Sequence, residues 1–248
     1  MNKTLKDFMQ YRKMNSLTES AIPNFTAPQQ YNPNSIYILA APGSYTYKFA
    51  LAQVTDRMTY LDYNEGRNKP VIVDWGDGMR DNRSSHTYYD SNEPRIIEII
   101  NGVGLLSSTS DSQFMGGLDN EELTPFDKEN TIGALHVCTF RDTVEDNDEW
   151  APLFGLFQGC KNLTYVAPNL LELCTDRTKV EHLFSGCTSL TDVPMDLFAG
   201  FDLSQAYTDT VFELCPNLKQ NPLVNNQYAQ TKYPYKYRSG DPDFDQDY

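Results

Sequence analysis

Histidine is scarce in this 248-residue chain, which has three: His86, His136 and His182. Acid–base and metal chemistry lean heavily on that side chain. The sequence also lacks Gly-x-Ser-x-Gly, His-Glu-x-x-His and any glycine-rich phosphate loop, so the common nucleophile, zinc-protease and nucleotide signatures are excluded. No Cys-x-x-Cys pair occurs, which removes the usual spacing of a structural zinc site. No cofactor is expected. Basic residues are the minority, 20 Lys and Arg against 34 Asp and Glu, for a net charge of -14. That balance lacks the positive footprint that phosphate backbones and anionic membranes attract, so nucleic acid and lipid surfaces are not expected partners. No stretch approaches the ~18 apolar residues of a spanning helix, so no membrane insertion is expected. The segment from Met1 to Leu17 carries charge in its interior and no apolar run, unlike a secretory signal. Manufacture and first folding in a reducing cytoplasm are expected.

What is present is a repeat. Leu156-Phe157-Gln158-Gly159-Cys160-Lys161-Asn162-Leu163 returns as Leu183-Phe184-Ser185-Gly186-Cys187-Thr188-Ser189-Leu190. It returns again as Val211-Phe212-Glu213-Leu214-Cys215-Pro216-Asn217-Leu218, and the cysteines fall 27 and 28 residues apart. A fixed period of that size marks units that bury an apolar face only by stacking on each other. Five cysteines is an odd number, and three of them share one repeat position. Stacked equivalents point the same way, so a buried thiol ladder is expected in place of a disulfide framework.

Composition divides the chain into four parts. Residues 1–35 read as a docking arm and linker. Leu5, Phe8 and Met9 share one face of an amphipathic helix expected near residues 4–14, and Pro23, Pro28 and Pro33 mark an extended connection behind it. Residues 36–105 read as a β unit, with strands expected at Ile36–Leu39, Tyr45–Leu51, Val71–Trp75 and Ile96–Ile100. Residues 106–228 hold the repeats. Within them 106–130 reads as a loop or irregular start, and an imperfect earlier unit is expected from Ala134 to Phe140. Residues 229–248 form an acidic, aromatic tail in which Tyr233, Tyr235, Tyr237 and Phe244 are candidate docking residues. The expected class is mainly β with some α.

Two resemblances add to this reading. Asp74-Trp75-Gly76-Asp77-Gly78, then Ser85-His86-Thr87-Tyr88, then the alternating Arg95–Gly102 run, resembles the PKD-like β-sandwich. In such a turn two glycines permit positive φ, aspartate caps backbone N–H groups, and Trp75 and Tyr88 supply core bulk. A cation site of Asp74, Asp77 and Asp81 is the sharper reading of the same residues. The repeats resemble BspA-like leucine-rich repeats, in which the cysteine lies buried beside the turn; Val166-Ala167-Pro168 and Val193-Pro194 follow the first two copies as that pattern asks. The third copy departs, with Leu214 in place of glycine, as a terminal capping unit would. Together the resemblances imply a sandwich leading into a short solenoid, as in surface proteins of gut bacteria and structural proteins of their phages, of the crAss-like type.

Catalytic readings are weaker. His182 lies five residues before Cys187, but that cysteine holds the buried repeat position, which argues for an inert thiol. Acidic pairs such as Glu121-Glu122 read as solvated surface in so acidic a chain. No catalytic residue is expected, and the chain reads as a non-enzyme. The favoured expectation is a structural or adhesive component of a bacteriophage virion: a head decoration, head fibre or tail-associated protein. It would be oligomeric or part of a larger assembly, contacting other virion proteins through its two ends and facing a host receptor or glycan. The alternative is a bacterial cell-surface adhesin or glycan-binding module.

Overall fold

The computed structural model describes residues 30–50, 56–62, 67–100, 124–137, 155–172, 180–199 and 210–225, with positions 25, 28, 153, 174, 203 and 208 besides. These residues are mainly β-sheet with almost no helix; a one-turn 3-10 helix at Pro222–Asn225 stands among ten strands. The expected helix near residues 4–14 and the docking residues Leu5, Phe8, Met9, Tyr233, Tyr235, Tyr237 and Phe244 lie outside the described residues.

In chain order the strands are β1 (Ile36–Ala40), β2 (Gly43–Lys48), β3 (Thr59–Asp62), β4 (Arg67–Pro70), β5 (Ile72–Asp74), β6 (Arg80–Asp81), β7 (Ser85–Ser91), β8 (Arg95–Ile100), β9 (Thr131–His136) and β10 (Tyr165–Val166). One sheet has six strands in the order β10-β9-β1-β8-β5-β6, and β2-β7 and β3-β4 form two-stranded sheets. Strand β1 explains its own central place. Its sequence is apolar throughout, so both faces must be covered. Ile36, Ile38 and Ala40 turn into the main core with Val73, Trp75, Ile97 and Ile99. Tyr37 and Leu39 turn the other way, into a second cluster with Leu135, Tyr165 and Ala167.

The β2-β7 pair closes the main core. Alternation along β2 buries Tyr47 and leaves Lys48 exposed, as a half-buried strand requires. Phe49, just past the strand, stays fully buried and donates its N–H to the Ser84 carbonyl. Tyr47 reaches further. Its hydroxyl meets Thr131 Oγ1 at 2.8 Å and accepts the Asp127 N–H at 3.2 Å. That buried contact ties the first unit to the segment that opens the repeats. The β1–β9 ladder does the same from the backbone, with Ile38 opposite Ala134 and Leu39 opposite Gly133.

Beyond β9 the chain builds stacked coils. Phe157, Phe184 and Phe212 lie one above another, with ring centroids 5.6 and 5.5 Å apart and planes 7° and 5° from parallel. Backbone bonds join adjacent coils, such as Gly159 N–H to Ser185 O at 2.7 Å and Gly186 N–H to Glu213 O at 2.8 Å. The column has an additional rung. Phe126 stacks on Phe157 at 5.1 Å, and Lys161 N–H donates to Lys128 O at 3.1 Å. The first coil therefore starts inside the stretch read as a loop or irregular start. Of the imperfect earlier unit expected from Ala134 to Phe140, residues 134–136 lie in β9, which pairs in parallel with β10, Val137 follows, and 138–140 lies outside the described residues. At the other end Phe198 packs edge-on to Phe212 at 6.3 Å, and Leu223 is buried.

Candidate functional site

One polar constellation lies at the turn between β5 and β6. Glycine is required at 76: its φ is +77°, and a Cβ there would stand 2.4 Å from the Ile96 carbonyl oxygen. Three aspartates serve the turn. Asp74 Oδ1 accepts the Gly76 N–H at 3.0 Å, and Asp77 Oδ1 accepts the Met79 N–H at 3.0 Å. Asp81 Oδ1 accepts the Trp75 indole N–H at 3.1 Å and the Arg83 N–H at 3.0 Å, while its other oxygen pairs with Arg83 Nε at 2.6 Å.

An aromatic clamp sits behind the turn. His86 Nε2 lies 2.7 Å from Asp77 Oδ2. The same imidazole stacks on Trp75 at 5.0 Å and meets the Tyr88 ring edge-on at 4.7 Å. Tyr88 in turn donates its hydroxyl to the Trp75 carbonyl at 2.8 Å. Burial tends to raise the Asp77 pKa, but the Met79 N–H and His86 outweigh it and hold the carboxyl below its ordinary value. Asp81 is likewise lowered against burial, by the indole N–H, the Arg83 N–H and the Arg83 guanidinium.

Asp74, Asp77 and Asp81 therefore do meet at one turn, as the sequence suggests. Their oxygens face different donors. Among the described residues no group of three His, Cys, Asp or Glu side chains is arranged to hold a metal ion. What the arrangement does chemically is lock a loop: each carboxylate replaces water at backbone or indole N–H groups.

The second constellation is the thiol ladder. Cys160 and Cys187 are fully buried and Cys215 is nearly so. Cys187 Sγ donates to the Phe157 carbonyl at 3.2 Å, and Cys215 Sγ donates to the Phe184 carbonyl at 3.0 Å. Cys187 and Cys215 thus each cap a carbonyl of the coil before them. Beside Cys160 stands Thr124, at 3.9 Å, whose hydroxyl donates to the Leu156 carbonyl at 2.7 Å. Burial pushes the Cys160 thiol up to about 12 and Cys215 up to about 11, and raises Cys187 well above its ordinary value. A thiol so raised supplies almost no thiolate near neutrality. His182 faces Glu213, with Nδ1 3.7 Å from Oε2. The Cys–His nucleophile considered from sequence has no geometric support here.

Two features of these sites escape sequence reading. Thr124 and Phe126 belong to the ladder, yet they sit before an imperfect copy with no Gly-Cys step. The offset from Phe126 to Phe157 also differs from the later ones. The His86–Asp77 contact spans nine residues, and its only signal is the order of the turn and the His-Thr-Tyr run. Comparison with known protein families, with curated proteins and with solved structures finds no match to this chain.

Proposed function

We propose that the chain is a non-enzymatic structural or adhesive component of a large assembly, a bacteriophage virion protein of the head-decoration, head-fibre or tail-associated kind. In this reading residues 36–105 are a PKD-like sandwich acting as spacer, and residues 106–228 a short BspA-like leucine-rich-repeat solenoid facing a neighbouring subunit or the host surface. The observation that carries it is the thiol and phenylalanine ladder. The repeat's phenylalanines and cysteines are turned inward, stacked or buried, so the motif builds the interior of a module and leaves partner contacts to residues outside it. A module of this kind presents faces to other proteins. The supporting sequence features are the acidic balance, the two domain resemblances and the ends rich in candidate docking residues.

The test is mass spectrometry of particles purified from cells that express the gene in its native phage context. The chain is expected at a fixed ratio to the major capsid protein. Particles that lack it, together with purified protein that stays monomeric and binds no particle, would sink the proposal.

A further inference from the structure

On the outer face of the six-stranded sheet, three side chains form a row across three strands. His136 on β9 is the register partner of Tyr37 on β1, and Tyr37 is that of Glu98 on β8. Residues 30–35 lie over this row as a strap. The Tyr31 ring stacks flat on the His136 imidazole, 4.9 Å away and 2° from parallel, and leans on Tyr37 at 4.9 Å. The Asn32 N–H donates to the Tyr37 hydroxyl at 3.1 Å, and that hydroxyl donates to Glu98 Oε1 at 2.8 Å. The Ser35 hydroxyl donates to the same oxygen at 2.8 Å.

His136 is 4% exposed, and its Nε2 has no hydrogen-bond partner. A neutral imidazole tolerates that setting; an imidazolium, with a charge and a second donor, does not. Among the described residues the titratable or charged groups on this face are Tyr31 from the strap, Tyr37 from β1, Tyr165 from β10 and, one strand beyond Tyr37, Glu98 from β8. Two strand spacings of roughly 4.8 Å separate the Glu98 and His136 backbones, and Tyr37 stands between them. Glu98 Oε1 already accepts Tyr37 and Ser35. Burial accordingly pushes the His136 pKa down to about 4.

We propose that His136 is an acid-sensitive latch for the strap: protonation of its imidazole releases Tyr31 and opens residues 30–35 from the outer face of the sheet. Opening bares Tyr37 and the His136 ring, which Tyr31 and Asn32 cover in the closed form. The closed form binds fewer protons than the open form, in which His136 titrates near its ordinary 6.5. Closure is therefore fully favoured above that pH. It loses about tenfold in its equilibrium constant per pH unit down to about 4, where the loss levels off.

The experiment is amide hydrogen exchange on the full chain from pH 7.5 to 4, corrected for intrinsic rates and read at the Asn32 and Ser35 amides. Their protection is expected to fall about tenfold per unit below pH 6.5. His136→Phe keeps a stacking ring without the proton, so its protection should stay flat over the same window. Tyr31→Ala, which leaves the sheet intact, should lose strap protection at every pH. In that variant the NMR titration midpoint of His136 should return toward 6.5. Constant protection in the parent chain overturns the proposal. So does a His136→Phe variant that opens like the parent, or a Tyr31→Ala variant with an unmoved His136 midpoint.

Discussion

Gly186 lies directly on Gly159: a Cβ built on Gly186 would stand 3.4 Å from the Gly159 Cα. Both residues have positive φ, +72° and +71°. The third copy places Leu214 at the same step, with φ +55° and its side chain 72% exposed. An L-residue in that region costs about 1–2 kcal/mol. Gly186→Ala is therefore expected to lower stability by at least about 1 kcal/mol. Leu214→Gly should raise it by roughly 1 kcal/mol, offset in part by the extra freedom of glycine in the unfolded chain. Urea midpoints at unchanged m-value check both, and a destabilised Leu214→Gly would contradict the strain argument.

The phenylalanine column predicts that its least obvious rung matters as much as the others. Phe126 is 2% exposed and stacked on Phe157. Phe126→Ala and Phe184→Ala should each cost about 3–5 kcal/mol, the usual range for a buried phenylalanine replaced by alanine. A Phe126→Ala variant within about 1 kcal/mol of the parent would mean that the column begins at Phe157.

The turn clamp predicts a pH dependence. The Asp77 carboxyl is held below its ordinary 3.8, so the stability it contributes is present above that pH and is lost as pH falls through its lower folded value. Asp77→Asn keeps an acceptor for the Met79 N–H but removes the charge facing His86. It should cost about 0.5–1 kcal/mol at pH 6, given the partial exposure of the pair. The difference from the parent should close on acidification below pH 3.8. Chemical denaturation at a series of pH values reads this directly, and a difference that widens toward acid would refute it.

The buried thiols predict a labelling pattern. At pH 8 in the native protein, iodoacetamide should leave Cys160, Cys187 and Cys215 unmodified over hours, because each is buried and its thiol is raised well above that pH. In urea all three should alkylate within minutes. Peptide mapping separates them from Cys174, which is only partly buried. Rapid native modification of Cys187 would contradict the ladder.

The local parts of this architecture were legible in the residues. Trp75-Gly76-Asp77-Gly78 announces its turn because glycine and aspartate act within a few positions, and Cys160, Cys187 and Cys215 announce a ladder because stacked equivalents must point one way. The all-apolar run of β1 marked a strand, yet nothing in it named its partners. The pairing of Ile38 with Ala134 joins positions far apart in sequence, and such a pairing is decided by which faces remain uncovered after the rest has folded. Phe126 escapes sequence reading because its coil lacks the Gly-Cys step that makes the later copies recognisable. His136 reads as a lone histidine near a strand end until Tyr31 is seen lying on it.

Strand β9 runs antiparallel to β1 on one side and parallel to β10 on the other. The coils are thus spliced to the sheet by a backbone ladder as well as by chain connectivity. A pull on the coils along the strand direction would load the rungs of that ladder together, in shear, whereas a pull across it would break them singly. Force applied along the strands would therefore meet more resistance at this splice than force applied across them.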